Sequence, residues 1–452
     1  MNKPIRLAVI GAGSAQFSLG LVRDLCLADS LAGSTVVLMD LDEQRLATTT
    51  ELARRYANEL GKQLTFEKTT SRETALEGAD FVINTALAGG HRREEAERAL
   101  VQSCGYYRGL YPSESGFYQY DLMLQVARDI ERICPDAWLI QSSNPVYDGV
   151  TLITRETRVK TVGLCHGPFG GIREIAKVLG LDYAEITFEA PGVNHCVWLT
   201  SFRYRDEDAY PLLDKWIAGQ SEDYWRHWAP KFHDTQMSPA AIHMYKLFGL
   251  MPLGDASRAI WTDAWWYNKD LESKRRWWGP EGGFDSEIGW QRYLDHLTED
   301  VKALAAAAAD PEAKLTELFP PRTSGEQIVP IIDALHNDRR GNFIVNVRND
   351  GAIDGIPDNV AIEVQAVVDG RGIRPLRTPR LPDLVMLGAI WPQILVMERR
   401  LAAFKTRDPR FFLQYLLFEH RTRSLEHAEE TLDAILHMPG NERMLAHFEA
   451  RA

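Results

Sequence analysis

The start of the chain constrains it most. A short apolar run, Arg6 to Ile10, passes directly into Gly11-Ala12-Gly13-Ser14, and a helical pattern through Leu19, Leu21, Val22 and Leu25 follows. Glycines at 11 and 13 let a strand turn tightly into a helix, so that backbone N–H groups face a pyrophosphate at the helix N-terminus. Gln16 stands where the full fingerprint has a third glycine, and an ordinary tight turn uses the same glycine pair, so the context has to decide. A second strand, residues 36–39, ends in Asp40, 27 residues after Gly13 and somewhat beyond the usual spacing of about 20. A carboxylate there can bind the adenosine ribose hydroxyls and repel the extra phosphate of NADP, which favours NAD.

The alternation continues: a helix over 43–60, strands at 64–67 and 81–85, an amphipathic helix over 120–133, and a strand at 138–141 that delivers Ser143-Asn144-Pro145-Val146. A strand at 161–164 ends at Cys165-His166. Strands alternating with helices in this way predict a parallel sheet covered on both faces. The layout resembles the lactate and malate dehydrogenase architecture, in which an Asn-Pro at this point lies beside the nicotinamide ribose and the substrate. At 452 residues the chain exceeds what one core usually organises, and near Trp198 its texture changes to short strands, Trp-rich loops and helices. The expectation is therefore an α/β protein. An N-terminal Rossmann domain with a parallel sheet spans residues 1–197, and a C-terminal α+β domain for substrate binding and oligomerisation spans 198–452. Strand-like pieces at 343–347 and 360–368 precede a helical C-terminus over 382–435, and the Ala-rich stretch 304–309 reads as an exposed helix.

A net charge of -12 argues against nucleic acid or an anionic membrane as a general partner, since both demand clustered positive charge. An anionic small molecule needs only a local Arg or Lys. No apolar run is long enough to span a bilayer, and the first ten residues lack a signal-peptide layout, so a cytoplasmic location is expected. The five scattered cysteines, Cys26, Cys104, Cys134, Cys165 and Cys196, fit reduced thiols rather than a disulfide framework.

Two of the chemistry-bearing pairs follow predicted strands. Cys165-His166 ends one, and Asn194-His195 follows a short strand at 186–188 through Gly192. Strand ends of a parallel sheet converge on its ligand crevice, so a Cys165 thiolate and a His195 imidazole can meet there. Two protein ligands leave positions open for substrate oxygens, which suits a catalytic ion. Taken singly, each residue is as readily a buried cysteine or a structural histidine.

Read together, Gly11-Ala12-Gly13-Ser14, Ser143-Asn144-Pro145, Gly163-Leu164-Cys165-His166-Gly167, Gly192-Val193-Asn194-His195, Met237-Ser238-Pro239-Ala240-Ala241, Pro252-Leu253-Gly254-Asp255, Ser324-Gly325-Glu326-Gln327 and Gly355-Ile356-Pro357-Asp358 occur in an order that resembles glycoside hydrolase family 4 over nearly the whole chain. Members require NAD and usually Mn, and stand outside the two-carboxylate glycosidase scheme. The resemblance implies that Gly11, Gly13, Ser14, Asp40 and Asn144 hold NAD, that Cys165 and His195 bind the metal, and that Asn144 and Asn194 lie near the sugar hydroxyls. It implies His166 as the acid and, as the base at C2, either a Tyr or an Asp after the metal histidine, of which Asp255 is the choice, although an Asp capping a helix would look the same. The implied chemistry is oxidation at C3, loss of the acidified C2 proton, elimination of the aglycone, water addition at C1 and reduction.

Within the family, Asp234-Thr235-Gln236-Met237-Ser238-Pro239 and the 252–258 string resemble the subgroup acting on uronic acid glycosides, to which an enzyme for sulfoquinovose is related. Either sugar carries an anion at C6 and wants a fixed cation, for which Arg258 is the candidate, with Arg92 and Arg93 more readily solvated surface residues. Trp261, Trp265, Trp266, Trp277 and Trp278 serve equally as sugar-stacking walls or as packing. A homo-oligomer, dimer or tetramer, is expected. The alternative is a lactate- or malate-like 2-hydroxyacid dehydrogenase, which leaves Cys165 and His195 without a role.

Overall fold

The computed structural model describes residues 3–107, 116–231, 234–258 and 265–450. Strands β1 (Arg6–Ile10), β2 (Thr35–Met39), β3 (Thr65–Thr69), β4 (Phe81–Asn84), β5 (Trp138–Gln141) and β6 (Lys160–Gly163) form a parallel sheet ordered β3-β2-β1-β4-β5-β6. That order reverses direction between β1 and β4, which opens a crevice at the carboxyl ends of those strands. The central strands are apolar on both faces, RLAVI, TVVLM and FVIN, because helices cover both sides. One face packs Leu7, Val9, Val36 and Ile83 against Leu21, Leu25 and Tyr56. The other packs Ala8, Val37 and Val82 against Met123, Val126 and Ile130. Asp42 caps the helix Glu43–Glu59 by accepting from the Arg45 N–H, the local chemistry that starts a helix directly after β2.

Beyond β6 the sheet continues with strands from the second half of the chain. Strands β13 (Gly341–Arg348) and β14 (Ala361–Asp369) pair along eight positions, and β13 joins β6 antiparallel at Asn346 and Gly163. The far edge of β14 is shared by β15 (Gly372–Pro375) and, at Glu363, by the hairpin of β8 (Gly192–Val193) and β9 (Cys196–Leu199); β12 (Met251–Leu253) closes that edge. One sheet thus runs through both halves of the chain. The C-terminal helices pack Ile394, Met397 and Leu401 on Tyr120, Tyr147 and Val150. No helix among the described residues is long and apolar enough to cross a membrane.

Two expectations change. The short strand read at 186–188 is β7 (Ile186–Glu189), but it lies in a separate antiparallel sheet with β10 (Ser201–Tyr204) and β11 (Glu207–Asp208). It therefore does not deliver His195 from a parallel strand; the β8–β9 hairpin does. The Ala-rich stretch ends the helix Glu287–Ala309 and is exposed on one side only. Leu304 and Ala307 are buried in the core, and Arg55 donates to the Ala307 carbonyl.

The seam between the parallel and antiparallel parts depends on Gly163. A Cβ there would sit 2.6 Å from side-chain atoms of both Val146 and Val150 and 2.9 Å from the Asn346 Cβ. Gly163→Ala is expected to destabilise the fold by about 1–3 kcal/mol through overpacking, read as a lower urea midpoint at unchanged slope.

Candidate active site

At the switch point, Gly11 has φ +91° and an added Cβ would lie 2.6 Å from the Ala86 backbone. The Gly11 and Ala12 N–H groups donate to the Met39 carbonyl at 2.9 and 3.0 Å, which pins the loop to the end of β2. The Gly13 N–H donates to Asp40 Oδ2 at 2.7 Å, and a Cβ on Gly13 would meet that carboxylate at 2.8 Å. Gly13 is therefore needed for the approach of Asp40, while the left-handed turn falls at Gly11. The other Asp40 oxygen accepts from the Asp42 N–H at 2.9 Å. Ser14 is exposed at the N-cap of the helix Ala15–Leu27, where its side chain makes no capping bond.

Past the ends of β4 and β5, a buried amide network holds the next loop. Asn84 donates to Gln141 Oε1 at 2.9 Å, and Gln141 donates to the Ser143 carbonyl at 2.9 Å and to its Oγ at 2.6 Å. Gln119 donates to the Ala86 carbonyl at 3.0 Å and to Ser143 Oγ at 3.2 Å. The chain leaves this anchor through a cis Asn144–Pro145 peptide, with Asn144 exposed.

Cys165 follows β6, just ahead of the helix Gly167–Leu179, whose Gly167 N–H donates to Sγ at 3.5 Å. Asp255 reaches the same place because two backbones touch. Gly254 has φ +62°, and a Cβ on it would lie 2.4 Å from the Gly167 carbonyl carbon. Gln236 locks the contact by donating to the Pro252 carbonyl and accepting from the Gly254 N–H, both at 2.7 Å; a side chain at Gly171 would clash with its amide oxygen. His195 is the second residue of the two-residue turn between β8 and β9, at φ +61°, where a non-glycine residue is uncommon and costs strain. One ligand atom from each of Cys165, His195 and Asp255 lies within 4.8 Å of the others, and His195 Nε2 is 3.0 Å from Asp255 Oδ2. The sequence reading paired Cys165 with His195 but kept Asp255 for a base; the third member of the cluster was missed.

The electrostatics of the cluster suit a cation. Burial pushes the Cys165 thiol well above its ordinary range, and Glu363 and Asp255 push it further. Burial also lowers His195, keeping the imidazole neutral and ready to ligate. Burial pushes Asp255 up as well, but Arg258, His195 and His166 together outweigh it and hold the carboxyl at about 2. A thiol, an imidazole and a carboxylate, beside the further carboxyl of Glu363, form a donor set that fits a divalent transition metal.

The remaining candidates are spread around this centre. Asn194 is buried and donates to Glu363 Oε2 at 2.8 Å. His166 is exposed, with Nδ1 3.4 Å from Glu326 Oε1; Ser324, two residues earlier, is tied to the first helix by donating its N–H to Asp24 at 2.7 Å. Arg258 Nε lies 3.4 Å from Asp255 and 3.6 Å from Asp285, with its guanidinium 4.8 Å above the Phe284 ring. Arg93 pairs with Glu97 on its own helix and lies over the Tyr118 ring, and it ties that helix to the C-terminal segment by donating to the Gly440 carbonyl, whereas Arg92 is exposed. Trp278 is core and Trp277 packs beside it on Tyr267; Trp265 and Trp266 are partly exposed, and Trp261 lies outside the described residues.

A glycine loop at the switch point of a doubly wound sheet, with a sulfur, nitrogen and oxygen cluster on the next loops, defines an enzyme of the dinucleotide-binding dehydrogenase architecture. The family is narrower than the architecture. The chain matches the model of family 4 glycosyl hydrolases over residues 6–181 and that family's C-terminal domain over 190–422, and it belongs to this family. An α-galacturonidase of Thermoanaerobacter italicus is 26% identical over 446 residues, 94% of each chain. A solved 6-phospho-alpha-glucosidase from gut microorganisms, in complex with NAD and Mn2+, is 19% identical with TM-score 0.77 over 96% of this chain and 98% of that one. Malate dehydrogenase of Plasmodium falciparum, at 14% identity and TM-score 0.51 over 88% and 98%, shares the fold alone.

Glu363 yields a prediction. Burial raises its carboxyl from an ordinary 4.5 to about 7, so the folded state binds more protons than the unfolded one between those values. The metal-free protein should therefore lose stability as pH rises from about 4.5 to about 7, with no further loss from this group above that. Glu363→Gln removes this component. Denaturation in EDTA at pH 5 and pH 8 checks it, and an equal pH slope in both proteins contradicts it.

Proposed function

We propose that the chain is an NAD-dependent hydrolase of α-glycosides whose hexose carries an anion at C6, a uronic acid or sulfoquinovose, acting with a divalent cation, manganese by preference. The observation that carries this reading is the convergence of Cys165, His195 and Asp255 within 4.8 Å on loops of a dinucleotide-binding fold. The printed name of the α-galacturonidase relative and the NAD and Mn2+ of the solved one support it. Gly11, Gly13, Ser14, Asp40 and Asn144 would hold the dinucleotide. Cys165 and His195 would hold the ion, with Asp255 in reach. When bound, these groups supply a reversible hydride acceptor for C3 and a Lewis acid for the sugar oxygens.

The side chains supply the proton transfers. Asp255, ionised throughout the neutral range, takes the C2 proton. A carboxylate held this low is a weak base, so it can act only on a C–H acidified by a neighbouring ketone, which places oxidation before deprotonation. His166 donates a proton to the departing oxygen, its exposed ring oriented by Glu326. Water then adds at C1. Asn144 and Asn194 bind sugar hydroxyls. Arg258, whose Nε lies 3.4 Å from Asp255 and 3.6 Å from Asp285, is the cation assigned to the C6 anion. A homo-oligomer in the cytoplasm is part of the proposal, its size to be read by light scattering.

With NAD and Mn2+, release of nitrophenol from glucuronide, galacturonide or sulfoquinovoside should exceed release from glucoside, without accumulating NADH, and in deuterated water the product should carry deuterium at C2. Sustained NADH formation would favour the 2-hydroxyacid dehydrogenase instead. Asp255→Asn should lower kcat roughly 100-fold or more at unchanged Mn2+ affinity; lost affinity assigns the residue to the ion. Arg258→Lys should reduce kcat/KM on the uronide more than on the glucoside.

A further inference from the structure

Glu363 is a carboxylic acid flanked by the apolar residues Ala361, Ile362 and Val364 in the strand AIEVQAVVD, with 1% of its surface exposed. A carboxyl so placed is costly unless it is held and used. Its surroundings are amides and another acid: Asn194, its cross-strand neighbour Asn346 and, further off, Asp255. It also faces Gly192, the residue with which the Asn194-His195 hairpin enters the sheet.

Asn194 is equally buried, at 1%. Its amide donates to Glu363 Oε2 at 2.8 Å and lies near enough to the Cys165 sulfur to act on the thiol. A primary amide has two donor hydrogens and one acceptor oxygen. With its nitrogen turned to the carboxylate, its Oδ1 is left buried and without a partner among the described residues. Against an ionised Glu363 a flipped amide would set that oxygen facing the carboxylate, so the ionised Glu363 decides which way the amide lies.

We propose that Glu363 is a positioning residue of the active site. Through Asn194 it fixes a hydrogen bond to the Cys165 sulfur and turns the Asn194 oxygen toward a substrate hydroxyl. The inference rests on the reading of Cys165 and His195 as metal ligands. Groups that orient a ligand from behind typically govern metal affinity roughly 10- to 100-fold, so the test is binding rather than turnover.

The full chain, Glu363→Leu, Glu363→Gln and Asn194→Ala are titrated with Mn2+ by electron paramagnetic resonance, and with Co2+ by the thiolate-to-cobalt absorption band, with neither NAD nor sugar present. Glu363→Leu should weaken Mn2+ binding roughly 10- to 100-fold and move the cobalt band. Glu363→Gln, whose Oε1 still accepts from Asn194, should stay within a few-fold. In the Asn194→Ala background Glu363→Leu should add nothing. Wild-type Mn2+ affinity in Glu363→Leu overturns the proposal, as does a Gln variant as weak as the Leu one. If Glu363→Leu does not fold, Asn194→Ala decides: unchanged affinity and an unchanged cobalt band refute the link. A wild-type chain that binds neither ion removes the metal reading and this inference with it. Failure to cleave any glycoside leaves it standing.

Discussion

The contact between the Gly167 and Gly254 backbones carries most of the architecture of the site. Cys165 belongs to the parallel half of the sheet and Asp255 to a loop after β12, strands that lie at different places along it. Only two segments stripped of side chains can approach closely enough to bring a thiol and a carboxylate within 4.8 Å of each other. Gln236 then satisfies the polar groups that this approach buries, donating to Pro252 and accepting from Gly254, so the contact costs no orphaned backbone group. The helix that starts at Gly167 adds its positive end near the Cys165 sulfur, a field that favours thiolate over thiol and works against the burial that opposes ionisation.

The same economy explains why the sheet does not stop at β6. A parallel sheet offers ligand groups only at its carboxyl edge, and β6 supplies Cys165 there. By pairing β13 antiparallel onto β6 and β14 onto β13, the chain extends the sheet to the β8–β9 hairpin, whose turn, Asn194-His195, lies beside Cys165. Antiparallel strands can be joined by two residues where parallel ones need a long crossover. Two successive functional side chains therefore sit at a hairpin tip anchored on Glu363 and on Cys196, and the strain of a left-handed His195 is held by the flanking strands.

What could be read from the residues follows from how local the cause was. The strand-glycine-helix start, the Asp40 terminus of β2, the Asn-Pro loop and Cys165 after β6 were legible because each depends on neighbours in sequence. The delivery of His195 was not. Residues 186–188 look like a strand and are one, but which sheet a four-residue strand joins depends on partners elsewhere, and Gly192-Val193 is too short to show any period. Asp255 was legible as a functional residue through Gly254, yet its place within reach of Cys165 and His195 depends on a contact with a loop 87 residues earlier. Glu363 left a signal that was passed over: one acid within a run whose other buried positions are apolar. Arg93 shows the converse, since a basic residue shortly after a glycine pair reads more readily as a solvated surface residue and instead ties its helix to the C-terminal segment.

These placements give the centre a definite charge balance. Asp255, Glu363 and Cys165 supply three groups that can lose a proton, against one fixed cation, Arg258, which Asp255 shares with Asp285. Without an added cation the pocket holds its acids apart only by keeping protons on them, which is why burial drives Glu363 and Cys165 upward while the carboxylate beside Arg258 stays ionised. A divalent cation among them would replace those protons, and the donors would become anions together. The thiol, the buried glutamate and the strained histidine are each unfavourable alone; they are compatible with one another once they answer to a common positive charge.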